Sequence, residues 1–151
     1  MEVQALVSSS TFGNARRMAS GVDQQRLSLL LAVLEKRAGL GLLGDDVYVN
    51  VAGGMSVDEP AADLSIVAAV ASSVQNRAVG SSTAMFGEVG LGGEVRAITQ
   101  PALRVREAAR MGFERCVLPL ANADLPACDR PPQLELVGVR TVDEALQALL
   151  A

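Results

Sequence analysis

The segment "PAADLSIVAAVASSV", residues 60–74, constrains this chain more than any other stretch. From Leu64 to Val74 it carries no charge and is apolar almost all round. A helix of that composition has no face to offer to water, so it must run through the middle of the molecule with other elements on every side. Pro60 suits the first position of such a helix. The free N–H groups of a helix N-terminus can stabilise a developing negative charge, which is the setting of a nucleophile site. Yet the first-turn residues are Ala61 and Ala62, which carry no reactive group.

What can cover this helix is legible from its neighbours. "EVQALVS" is a strand that begins right after Met1, an abrupt start that suggests a piece of something longer. Residues 8–21 form a polar, Gly-containing connection carrying the tandem pair Arg16-Arg17. A helix follows, in which Leu27, Leu30, Leu31 and Leu34 recur at i, i+3, i+4, i+7 and mark one buried face. Gly39 suits its end, and Lys36 lies in the last turn, where a cation complements the helix dipole. "DDVYVNVAGG" (45–54) alternates as a strand closed by glycines.

Residues 82–98 predict two short strands joined by a Gly-rich turn. They contain no phosphate-binding loop, so the glycines serve a hairpin. Residues 101–113 predict a helix that begins at Pro101 and stops at Gly112. On it Arg106 and Arg110 have Glu107 and Glu114 as carboxylate neighbours. Residues 115–120 and 134–139 are strands, separated by an irregular connection. A last short helix opens on Thr141, with Glu144 completing a capping box. With 151 residues, half of them hydrophobic, the string describes a single α+β domain.

Composition excludes much chemistry. There is no histidine, which removes Ser-His-Asp and Cys-His catalysis and most zinc sites. One lysine, Lys36, stands against twelve arginines, so any Ser-Lys dyad would have to use Lys36. An arginine excess beside abundant Ala, Gly, Leu and Val also fits GC-rich codon usage. Cys116 and Cys128 are too few for a disulfide framework. No apolar run approaches the roughly 20 residues of a membrane span, and a cytoplasmic location is expected. A net charge of −4 argues against a wholly basic surface but leaves room for a local patch that holds a polyanion.

Several stretches occur together in order: "EVQALVS", "FGNARRMASG", "LLLAVLEKRAGL", "YVNVAGG", "DEPAADLSI", "GEVGLGGEVR" and "REAARMGFERCVLP". As an ordered set they closely resemble the C-terminal domain of the bacterial RadA/Sms DNA-repair family over essentially the whole chain. That domain is similar in turn to the proteolytic domain of Lon proteases, with the ribosomal protein S5 domain 2-like fold. In Lon the nucleophile lies in a segment of the form D-G-P-S-A-G. Laid against it, the chain has Asp58-Glu59-Pro60-Ala61-Ala62-Asp63, with Ala61 at the serine position. The Lon lysine falls where the chain has Ala102. The resemblance thus implies a dyad degenerate at both positions, and two methyl groups cannot supply a hydroxyl and a neutral amine.

Ser56 and Ser65 are the nearby hydroxyls, and neither has a base close in sequence. The resemblance further implies a hexameric ring that helps hold DNA, beside a zinc segment and an ATPase domain of the same parent chain. Neither motif is present, so no cofactor or metal is expected here. Hexamers require a head-to-tail contact that closes on itself. DNA contacts are expected from Arg16 and Arg17, which have no acidic residue between Glu2 and Asp23, and from Arg115, placed at an exposed helix-to-strand turn. Two alternatives stand beside this one. One is a collar that oligomerises the ATPase and touches no DNA; the other is a serine protease with a relocated dyad.

Overall fold

The computed structural model describes residues 1–10 and 13–150. Thr11 and Phe12, within the connection expected over residues 8–21, and Ala151 lie outside the described residues. Among the described residues, eight strands and five α-helices run in the order β1 (Val3–Ser9), β2 (Arg17–Ser20), α1 (Gln24–Arg37), β3 (Asp45–Val51), α2 (Asp63–Gln75), β4 (Thr83–Met85), β5 (Glu88–Val89), β6 (Val95–Arg96), α3 (Pro101–Arg110), β7 (Arg115–Pro119), α4 (Leu120–Ala123), β8 (Glu135–Val139) and α5 (Val142–Leu149). A 3-10 turn, Pro60–Ala62, leads directly into α2.

The first sheet has the order β1-β3-β2, with β1 antiparallel and β2 parallel to β3. The second, β4-β7-β8, is parallel throughout, and β5 and β6 form a separate hairpin. The helix α2 is central as its composition demands. It packs on β1, α1, α5 and β5, and Leu64, Val67, Val70 and Ala71 are fully buried. On α1, Leu27, Leu30, Leu31 and Leu34 are all buried, Asp23 caps the start, and Gly39 turns left-handed just past the end. On α5 the Thr141 hydroxyl accepts from the Glu144 N–H at 3.1 Å. The Glu144 carboxylate reaches back to the Arg140 N–H.

The second sheet divides the interior in two. Side chains alternate across a strand. Met85, Val117, Val137 and Val139 therefore face the large core around α1, α2 and α5. Ala84, Cys116, Leu118 and Leu136 face a smaller core covered by α3. Apolar faces on both sides are what a parallel sheet requires.

Three expectations need correction. Residues 17–20 are not part of a connection but form β2, paired with β3. Residues 82–98 hold three strands rather than two, because β4 joins the second sheet and only β5 and β6 make the hairpin. The helix from Pro101 stops at Arg110, with Gly112 at positive φ just beyond.

Candidate functional site

The N-terminus of α2 is built from the segment Asp58–Asp63, and three of its N–H groups are taken by carbonyls. The Ala62 N–H donates to the Glu59 carbonyl and the Asp63 N–H to the Pro60 carbonyl. The Leu64 N–H donates to the Gly87 carbonyl at 3.1 Å, and Gly87 returns its own N–H to the Ala61 carbonyl at 3.0 Å. Those three donors are therefore not free to stabilise an oxyanion.

Ala61 is 5 % exposed and points into the smaller core with Phe86, Val105 and Cys116. Ala102, on α3, packs half-buried against the same cluster. The two alanines that the resemblance places at dyad positions therefore share one apolar environment. An ion pair spans the same two elements: Arg104 of α3 binds Glu59 beside the α2 entry. Arg104 also donates to the Thr99 carbonyl at 3.0 Å, and its guanidinium lies 5.8 Å from the centre of the Phe86 ring.

Asp63 is the charged residue buried deepest here, 2 % exposed. The Arg26 guanidinium donates to both its oxygens, and Val89 donates its N–H at 3.0 Å. The hydrogen bond from Asp63, more than its charge, holds the Arg26 pKa above its ordinary value. Beside this pair lies a cleft of about 260 Å³ lined by Asp23, Asp58, Glu59, Asp63 and Glu88. Its carboxylates suit neither phosphate nor DNA.

Ser65 lies one turn along α2 and opens into a different groove, of about 530 Å³, with Val3, Thr83, Met85 and Phe113. No lysine lines that groove, and Lys36 sits in the last turn of α1, as its dipole reading expected.

The arginines separate by environment. Arg16 is exposed, and among the described residues its side chain makes no ion pair; its backbone N–H donates to the Asp46 carboxylate at 2.7 Å. A carboxylate distant in sequence is thus close after all. Arg17 turns inward, and its guanidinium donates to the Asp45 and Leu42 carbonyls. Arg115 is not at an exposed turn: it opens β7, is 31 % exposed, and donates to the Ala148 carbonyl at 2.7 Å with Glu135 3.9 Å away. Arg110 pairs with Glu107 within α3, as its spacing indicated, whereas the partner of Arg106 is Asp129 at 4.0 Å. The groups that sequence reasoning missed, Arg26 with Asp63 and Glu59 with Arg104, are joined across 37 and 45 positions, a separation that leaves no local signal.

Residues 42–151, which run from just before β3 through α2, the hairpin and α3, match the Lon protease (S16) C-terminal proteolytic domain family. The chain belongs to that family. Over 150 residues the Lon-like chain is 49% identical to a protein named DNA repair protein RadA from Bacillus subtilis, an alignment covering 99% of this chain and 32% of the relative. A protein of the same name from Halalkalibacterium halodurans is also 49% identical, with the same coverage of both chains. The one from Listeria monocytogenes is 45% identical over 99% of this chain and 32% of its own length. The Lon-like chain thus spans about a third of the curated relatives it matches. Among the described residues no helix is long and apolar enough to cross a membrane.

Proposed function

We propose that this chain is a non-proteolytic Lon-like module of a cytoplasmic, RadA-type DNA-repair protein, forming a hexameric ring and lending contacts to DNA. It carries no cofactor or metal of its own and works beside the ATPase domain of the same parent chain. The observation that carries the reading is the content of the family's reactive region. Methyl groups of Ala61 and Ala102 stand in one apolar cluster, the N–H groups of Ala62, Asp63 and Leu64 are spent on carbonyls, and an Arg–Glu pair joins the two elements.

Ring assembly is supported by two separate exposed apolar faces, as a head-to-tail contact requires. On the outer face of the first sheet, Leu6 and Met18 are both registered on Tyr48 and are 60 % and 56 % exposed. On α3 and the residue just past its end, Leu103 and Met111 are exposed apolar residues. For DNA, Arg16 is, of the three expected arginines, the one whose side chain makes no ion pair or hydrogen bond among the described residues. Arg17 and Arg115 are engaged with carbonyl groups and act through the frame. That engagement favours the second reading, a structural collar without DNA contact, which is why the test includes both.

Fluorescence anisotropy with single- and double-stranded DNA, beside light scattering, separates the two. The module is expected to show a mass near that of a hexamer and a salt-dependent affinity. Arg16→Ala is expected to flatten the plot of log affinity against log salt by about 0.9 for duplex and about 0.7 for single strands. A ring that binds neither DNA form at low salt supports the collar, and a monomer at every concentration removes the ring.

A further inference from the structure

The helix α3 differs from the others in how it is held. Of its ten residues only Val105 and Ala108 are buried. The residue before it, Gln100, has φ +57°, a left-handed conformation that a non-glycine residue adopts at a cost, the more so ahead of a proline. The residue closing its far side is Gly112, at φ +90°. Two reversals of the backbone thus flank a lightly buried helix, an unstrained one at the glycine and a strained one at Gln100, and strain of that kind persists only where surrounding contacts enforce it.

The contacts that enforce it converge on Arg104. Its guanidinium binds the Glu59 carboxylate, donates to the Thr99 carbonyl at 3.0 Å, and covers the Phe86 ring. Glu59 is on the segment entering α2, so this pair ties α3 to the most deeply packed helix of the molecule. Both partners keep contact with water, Arg104 at 25 % and Glu59 at 53 % exposure, so the bond is open to competition by salt. A second link, Arg106 to Asp129, is longer and exposed.

We propose that α3 is a hinged cover over the smaller core, latched by the Glu59–Arg104 pair, and that its opening uncovers Phe86, Ala61 and Cys116 without unfolding the rest of the domain. The hinge is the strained Gln100-Pro101 junction. The cover swings while α1 and α2 keep their packing, because the second sheet separates the two cores.

Cys116 supplies the probe. It is buried in the smaller core, and burial pushes its thiol up to about 12, so an alkylating reagent reaches a reactive thiol only through an opening. Cys128 is exposed and is replaced by serine in every variant. Labelling of Cys116 is measured at low salt together with amide exchange of α1 and α2. Glu59→Gln and Arg104→Gln are each expected to raise the labelling rate by about two- to fivefold, the span of a partly exposed ion pair. Their combination should add little to either alone. The charge exchange Glu59→Arg with Arg104→Glu should return the rate toward that of the parent, and exchange in α1 and α2 should not change. Unchanged labelling in both single variants overturns the latch, as does labelling that rises only in step with exchange in α1 and α2.

Discussion

The two cores of this domain share a sheet and little else. The larger one is closed by four elements around α2 and filled with Leu27, Leu30, Leu34, Leu64, Val67 and Val70, all essentially without solvent contact. The smaller one is covered by α3 with Leu125 and Leu134 at its edge, and has small residues at Ala61, Ala84 and Ala102 and charged side chains at its rim. The contrast shows what the domain has kept. The large core specifies the family's scaffold. The small core is the region where the family's resemblance places chemistry, and there Ala61, Ala102 and the Glu59–Arg104 pair stand. On the function proposed above, the scaffold outlasts its reaction because its larger core lies on the other side of the sheet.

The sharpest way to break the comparison is to cut a side chain from each core. Leu64→Ala should cost about 2–5 kcal/mol of global stability, because the site is surrounded and cannot collapse. Val105→Ala removes less buried area, about 2 kcal/mol, and acts through α3 alone. Urea denaturation should show the first as a large midpoint shift, and thiol labelling of Cys116 should show the second as a local opening. Equal global losses would erase the distinction between the cores.

Alkaline titration sharpens it further. The Cys116 thiol is raised from its ordinary 9.0 to about 12 by burial in the small core. Its contribution is fully present below pH 9, where folded and unfolded states both hold the proton. Above that the unfolded chain releases a proton that the folded chain keeps, so stability falls as pH rises toward 12, by about 1.4 kcal/mol per pH unit. Denaturation curves between pH 8 and about 11 should show this slope in the parent and a shallower one in Cys116→Val. Identical slopes would mean that the small core is already open to solvent.

The smallest effect concerns Arg115, which bridges the cores' shared sheet to α5 through the Ala148 carbonyl. Arg115→Ala should lower stability by about 1 kcal/mol, since the group is partly solvated. It should leave the salt slope of DNA binding where it was. A flattened slope with unchanged stability would return Arg115 to the DNA-contacting surface.

How much of this was legible in the sequence depends on whether the signal was local. The burial of α2, the leucine face of α1, the Thr141–Glu144 cap and the pairing of Arg110 all follow from spacings of a turn or two. The strand β2 escaped because "RMAS" is short and half exposed, with Ala19 its one apolar residue packed on the core. Its partner in β3 lies 30 positions on. The strand β4 was absorbed into a hairpin for the same reason, since its partner β7 is 32 positions away. Arg17 and Arg115 looked free because their acceptors are backbone carbonyls, which no residue type announces. At the candidate site the reverse held for Ala61 and Ala102: the missing reactive groups are visible in the letters, whereas the Glu59–Arg104 bond that joins their elements is not.

On the proposed function the protease scaffold persists here without the reaction, and hydrolysis itself is the test. The purified chain, incubated with a fluorogenic peptide library and with an unfolded protein substrate, should release no more product than buffer does. It should also show no difference between the parent and Ser65→Ala. Turnover that a serine-directed inhibitor blocks, and that Ser65→Ala abolishes in a variant still folded by circular dichroism, would contradict it.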